Sequence, residues 1–236
     1  MALLILFSQS VLLWMVKRGD RKLYTDNRRH ADLVYDTLMD MIFNGELKPG
    51  DRLPTIPLAQ KIGVSRTPVL EALKIMQNEG IVVFKSSNGA WLINPTVQEI
   101  NDLYVVRANL ERLALSITFD LITSPIIIEL KKYIDLEQEY CETGEKKLAI
   151  KAGLDFHRIL GQSCPNRYLA NCIENAISTT YAYLLLYESK NTIARKLSPS
   201  AHEKLVELLL QKNKTEALNI IYENIINAFH DSYAKA

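Results

Sequence analysis

Two groups of residues in this 236-residue sequence are placed to do chemistry. The first consists of polar residues that stand where apolar ones are expected. Arg107 sits in the midst of an apolar helical face with Leu103, Val106, Leu110 and Leu113. A guanidinium withdrawn from water there needs a carboxylate, either Glu111 one turn on or a bound organic acid. Asn224 falls between Ile221 and Ala228 on another apolar stripe. A buried amide needs hydrogen-bond partners, which favours a polar pocket over a dry core. His157 and His202 lie in helical patterns too, as hydrogen-bonded histidines of a bundle or as direct ligands of an organic anion. The second group is Ser65, Arg66 and Thr67, at the leading end of a helical pattern that follows Gly63-Val64. Arg66 can donate two hydrogen bonds to guanine O6 and N7, and backbone amides at a helix start can hold a phosphate. Lys85 and Asn88 in a polar turn can reach a nucleic-acid backbone or minor groove, and Gly89 permits close approach.

These groups need elements to position them. A helix pattern begins near Ala31, with Leu33, Val34, Leu38, Met41 and Ile42 at helical spacing and Asp32 and Asp36 near the positive end of its dipole. Gly45 ends it, Lys48-Pro49-Gly50-Asp51 turns, and Arg52-Leu53 is long enough for a very short strand. A second helix from Thr55 carries Leu58, Ala59 and Ile62 and stops at Gly63. Ser65 is a good N-cap for a third, which carries Val69, Leu70, Leu73 and Met76 and ends at Gly80. Ile81 to Phe84 and Ala90 to Ile93 flank an Asn-Gly turn and predict a hairpin. Helix, helix, tight turn, helix and hairpin in that order make a winged helix-turn-helix, closed by Pro95.

The remainder shows no strand signal. Thr96 and Glu99 form a capping box before one helix. Ser124-Pro125 supplies an N-cap and a proline at the first helical position of the next. A third runs from beyond Gly144 to about Ser163, and Asn166 opens a long fourth. Ser200 with Glu203 caps a fifth, and Thr215 precedes the last. The expected fold class is mainly α: a winged helix-turn-helix followed by an antiparallel bundle of about six helices. The expected division is an extension over 1–27, a DNA-binding domain over 28–96 and a helical effector-binding domain over 97–236.

Composition fits two globular domains, with 48% hydrophobic and 23% charged residues. From residue 17 to 96 there are twelve Lys or Arg against nine Asp or Glu, and the balance reverses weakly beyond. The direction suits an N-terminal nucleic-acid module. Cys141, Cys164 and Cys172 are odd in number and without a C-x-x-C spacing, which reads as reduced thiols of a cytoplasmic protein. Met1 to Val16 is almost wholly apolar and is followed by Lys17, Arg18, Arg21 and Lys22. The run is short for a span and has the charge order of no signal peptide. It stands open as an upstream extension, a packed peptide or a membrane anchor.

Gly63-Val64-Ser65-Arg66-Thr67-Pro68-Val69 followed by Glu71-Ala72-Leu73 resembles the recognition region of the GntR family of regulators. Leu47 to Leu53 upstream, and Glu79-Gly80-Ile81-Val82 with Asn88-Gly89-Ala90 downstream, match too. The C-terminal half resembles the ligand-sensing domain of the FadR subgroup through Leu103 to Arg107 with Glu111, Phe156 to Leu160 before Asn166, and His202-Glu203. The resemblance spans about residues 31–236. It implies a homodimer on a double-stranded DNA operator, repressor or activator, with Arg52, Ser65, Arg66, Thr67, Pro68, Lys85, Asn88 and Gly89 at the duplex. It implies a small organic acid effector near Arg107, His157, His202 and Asn224. In the subgroup a divalent metal commonly sits on one Asp and three His. Here His157 and His202 match, but the Asp falls on Gly153 and the last His on Asn224. Asp155 is on another side of that helix, and His230 is off the face of the last one.

Two further departures concern DNA. Arginine is usual in the family where this chain has Leu70 and Ile56. Losing both cations lowers phosphate neutralisation and flattens the salt dependence. Two other functions therefore stay open beside the regulator: a ligand-binding protein that has lost operator binding or is tethered to a membrane, and a metal-dependent enzyme on His157 and His202. The enzyme lacks a third strong ligand and a general base in register.

Overall fold

The structure, a computed structural model, describes residues 26–85, 89–187 and 199–233. The apolar run at 1–16 and Asn88 lie outside the described residues. Helix α1 (Asp26–Phe43) starts earlier than its apolar pattern suggests. Asp32 and Asp36 therefore lie inside the helix, where the dipole offers them little. Its buried face is Val34, Leu38, Met39, Met41 and Ile42, whereas Leu33 is exposed. Strand β1 (Arg52–Leu53), helix α2 (Thr55–Ile62), helix α3 (Arg66–Asn78), strand β2 (Val82–Lys85) and strand β3 (Gly89–Leu92) follow. β3 is central in an antiparallel sheet of order β1-β3-β2, with Arg52 opposite Trp91 and Lys85 opposite Gly89. Gly63 takes φ +80° to end α2, and its N–H bonds to the Ala59 carbonyl. That left-handed residue makes the tight turn cheap and lets α3 leave at a new angle. This is the expected winged helix-turn-helix.

Six helices complete the described chain: α4 (Val97–Thr118), α5 (Ser124–Glu142), α6 (Lys146–Gln162), α7 (Arg167–Tyr187), α8 (Ser200–Leu210) and α9 (Lys214–Tyr233). The Thr96–Glu99 capping box forms: Glu99 N–H donates to Thr96 Oγ1 at 3.2 Å and Thr96 N–H to Glu99 Oε2 at 2.7 Å. Asn166 Oδ1 accepts from the amides of Tyr168 and Leu169 and so caps α7. Two other caps differ from expectation. Thr123, not Ser124, precedes α5. Pro199 precedes α8, so Ser200 is already helical and no side-chain cap bond closes that end. In the bundle α5 packs on α6, α9 on α4, and α7 on both α6 and α4.

The sequence misplaces one face. Of the apolar stripe of α4, Leu110 packs partly against the core, but Val106 and Leu113 point away from it, 53% and 51% exposed, and Ile117 and Leu121 continue outward. The inward face carries Tyr104, Arg107, Ala108, Glu111, Ala114 and Leu115. Two charged groups on the inner face made the outer one look like the core.

Helix α7 belongs to both domains. Ile173, Ile177 and Leu184 join the bundle core, while Ala182, Leu185 and Leu186 join the core of the winged domain. Polar bonds pin the same junction. Tyr35 Oη donates to Glu79 Oε2 at 2.7 Å, Thr179 Oγ1 to the Glu79 carbonyl at 2.9 Å, and Tyr187 Oη to the Pro95 carbonyl at 2.7 Å.

Candidate functional site

A cavity of about 50 Å³ lies at the centre of the bundle, walled by Arg107 and Tyr104 of α4, Glu137 of α5, Gly153 and His157 of α6, Leu184 of α7, His202 of α8 and Asn224 of α9. All four expected effector residues meet there. His157 is wholly buried on the inner side of α6, and its Nδ1 faces Glu111 Oε2 at 2.6 Å. Glu111 Oε1 accepts from Arg107 Nε at 2.6 Å. Burial alone would push the Glu111 carboxyl up, but Arg107 and then His157 outweigh it and hold it at about 2. Burial likewise depresses His157, with Arg107 and His202 acting in the same sense and Glu111 against it. The imidazole is therefore neutral, its Nδ1–H is committed to Glu111, and its Nε2 lone pair faces the cavity.

Arg107 pairs one turn on along its own helix. Its partner is Glu111, yet only Nε is used. Nη2 is buried without a hydrogen-bond partner, on a residue only 2% exposed. Asn224 is half-buried rather than fully buried, because α9 meets the mouth of the cavity there.

His202 is held the same way from the other side. Its Nδ1 faces Glu137 Oε2 at 2.7 Å, and Phe156 stacks on its ring at 4.3 Å. Its Nε2 points back at His157 Nε2, 3.1 Å away, and Asn224 Oδ1 lies 3.1 Å from the same His157 atom. Glu137 was missed in the sequence. The signal was present, since Glu137 follows Leu130 and Ile134 on the buried stripe of α5. It also explains Gly153: a Cβ at that position would come within 2.9 Å of Glu137 Oε1. The carboxylate reaching this space comes from α5, where the subgroup resemblance placed an Asp on α6. Asp155 indeed turns elsewhere, to an ion pair with Arg158, which also binds Glu174 at 2.8 Å.

Two spacings in the donor set match those around a divalent ion. Ligands about 2.1 Å from one ion lie roughly 3.0–3.4 Å from each other, and the two Nε2 atoms and Asn224 Oδ1 keep that spacing about His157. Carboxylates on both Nδ1 atoms are the supports that metal-bound imidazoles usually have. The set is short of the usual four, and no group of three or more His, Cys, Asp or Glu gathers as a metal cluster among the described residues.

The other candidate residues belong to α3 and the sheet of the winged domain. Ser65, Arg66 and Thr67 are exposed at the start of α3, and Ser65 takes the N-cap position with extended backbone but makes no side-chain cap bond. Arg52 and Lys85 are exposed on β1 and β2, and Gly89 takes φ +77° at the hairpin end. Lys85 Nζ rests 4.7 Å above the Trp91 ring. Pro68 is a correction: it is buried in the first turn of α3 and faces the domain core, so it shapes the helix start and offers no surface to a duplex. Among the described residues no helix is long and apolar enough to cross a membrane.

Residues 30–91 match the model of the bacterial regulatory proteins of the gntR family, and residues 102–226 that of the FCD domain. YdhC, an uncharacterized HTH-type transcriptional regulator of Bacillus subtilis (strain 168), is 28% identical over 184 residues, covering 78% of this chain and 82% of YdhC. The Nta operon transcriptional regulator of Aminobacter aminovorans is 27% identical over 192 residues, covering 80% of this chain and 88% of that protein. Among solved structures, E. coli McbR/YncC superposes with a TM-score of 0.67 at 23% identity over 86% of this chain and 98% of that one, a likeness of fold.

Proposed function

Since this chain belongs to the gntR family of bacterial regulatory proteins, in the branch with an FCD domain, and so is a DNA-binding transcriptional regulator with an effector-binding domain, we propose that its effector is a small organic acid gripped by Arg107. The observation that carries this is the buried Arg107 Nη2 with no partner. An unmet guanidinium N–H in a protein interior costs free energy that one carboxylate oxygen repays. A cavity of about 50 Å³ admits a few water-sized groups, so the acid is one of few atoms as the walls stand.

His157 Nε2, His202 Nε2 and Asn224 Oδ1 are the atoms that would hold a divalent ion. Bound there, it would supply positive charge for the effector's carboxylate. Glu111 and Glu137 fix the two rings in the orientation this needs, and Phe156 keeps His202 from turning.

Signalling follows from α7. Leu184 forms part of the cavity wall, and the next two residues, Leu185 and Leu186, are in the core of the winged domain. An effector that moves α7 therefore moves the winged domain with it, and a ligand favouring one placement shifts the population toward it. The outward stripe of α4 supports a homodimer. Val106, Leu113 and Ile117 are exposed on the helix and Leu121 just beyond it, a patch suited to the same patch on a second copy. Two winged domains then meet two half-sites. Ser65, Arg66 and Thr67 face base edges, and Arg52, Lys85 and Gly89 meet the backbone.

The test uses the full chain. Two- to six-carbon mono- and dicarboxylates are screened by thermal shift, with and without zinc or nickel, against wild type and Arg107→Lys. Lysine keeps the charge and loses the fork. At least one acid should raise the melting temperature of the wild type and not that of the variant. Equal stabilisation of both, or of neither, would sink the carboxylate reading. Arg66→Ala should abolish sequence-specific DNA binding at a stated salt concentration, and normal specific binding by that variant would remove the docking geometry.

A further inference from the structure

Helix α3 completes its buried face with Pro68, Val69, Ala72, Leu73 and Met76. Leu70 is not on that face. It is 37% exposed and lies one turn after Arg66 and one turn before Lys74, both exposed. Residues four apart share a helix face, so two cations bracket this leucine on the outer surface of α3. Arg52 and Lys85 add exposed cations from the sheet. A lone exposed leucine ordinarily signifies nothing. On the outward face of a helix that enters a major groove its surroundings are base edges and phosphates. The one apolar group a base pair presents in that groove is the C5-methyl of thymine.

We propose that Leu70 reads a thymine methyl, so that each half-site carries an A·T pair where an arginine at this place would select G·C. The proposal rests on the docking of α3 through Arg66. An apolar residue among cations then exchanges one base preference for another: Arg66 and Lys74 keep the charge that holds the duplex, and Leu70 specifies without adding charge. Ile56, exposed at the start of α2, is a second apolar residue that withholds charge in the same way.

The full-length protein is used to select duplexes from a pool randomised over about three helical turns. Each thymine of the best selected duplex is then replaced in turn by deoxyuridine, which lacks only the methyl. One replacement per half-site should weaken binding about fourfold, the worth of one methyl-sized group taken from water. Leu70→Ala should bind the thymine and deoxyuridine duplexes equally. Leu70→Arg should select G·C at that same position. The inference falls if no methyl matters, or if the methyl effect persists in Leu70→Ala. A pool enriched by wild type and not by Arg66→Ala, but without any methyl effect, overturns this inference and leaves the docking of α3 standing. A pool from which wild type enriches nothing overturns both.

Discussion

Substituting Gly153 by alanine tests the arrangement at the centre of the bundle most directly. The new Cβ would lie 2.9 Å from Glu137 Oε1. Ordinary contact begins near 3.4 Å, so the carboxylate must retreat by about 0.5 Å. It has little freedom to do so, because Glu137 is buried and its other oxygen is bonded to His202 Nδ1 at 2.7 Å. Overpacking of this kind costs about 1–3 kcal/mol, and part of a charge-assisted hydrogen bond is lost with it. Against this, alanine is favoured over glycine within a helix by about 0.5–1 kcal/mol. In the wild-type background Gly153→Ala should therefore destabilise. In a Glu137→Ala background the obstacle is gone, only the helical preference remains, and the same change should stabilise. A double-mutant cycle by urea unfolding, followed by circular dichroism, should give a coupling of at least about 1.5 kcal/mol with reversal of sign. Equal effects in the two backgrounds would show that Glu137 does not occupy the space beside residue 153.

Burial raises the Glu79 carboxyl above 4.5, while the Tyr35 hydrogen bond and Arg158 pull it down. A raised carboxyl favours the protonated native state, so its stability contribution is present in acid and lost as pH climbs past the raised value. The melting temperature of wild type should therefore fall relative to Glu79→Gln as pH rises above about 4.5, and parallel pH profiles would refute this. Leu113→Lys puts a charge in the centre of the outer stripe of α4 and should yield a monomer in sedimentation, whereas an unchanged mass would exclude that face as the contact between copies. Ile56→Arg should steepen the fall of log affinity with log salt on non-specific DNA by about 0.9 for each phosphate newly met. An unchanged slope would place Ile56 away from the duplex.

The winged domain was legible because its punctuation is local. Gly63 must take a left-handed backbone, Gly89 does so where the hairpin's second strand begins, and Val69, Leu73 and Met76 repeat at helical spacing. Each signal lies within a few residues of the structure it specifies. The bundle's helices were legible for the same reason, through the Thr96 box and the Asn166 cap. Which way α4 faces was not. By periodicity alone Leu103, Val106, Leu110 and Leu113 read as the inward face with Arg107 in their midst, whereas Val106 and Leu113 face outward. Only the partners on other helices reverse it. Glu111 is bonded to His157 across 46 residues of sequence, and His202 to Glu137 across 65.

The same separation explains why the centre of the bundle was half visible. Arg107, His157, His202 and Asn224 announced themselves as polar residues on apolar stripes, and all four line the cavity. Gly153 read as a missing ligand. The glycine and Glu137 have to be taken as a pair, since the absence of a side chain on α6 is what admits the carboxylate from α5. Without Glu137 the buried Nδ1 of His202 would lose its carboxylate partner, and with it the contact that aims Nε2 at His157. Glu137 signals its burial by following Leu130 and Ile134 on one stripe, but nothing local to either helix pairs it with Gly153. What the centre requires is a carboxylate at one point in space, and two helices offer different routes to it. A residue-by-residue comparison with the subgroup sees only the route through α6. For the same physical reason, restoring an aspartate at position 153 without removing Glu137 would crowd two carboxylates into one site and should disrupt the His157–His202 pair rather than complete it.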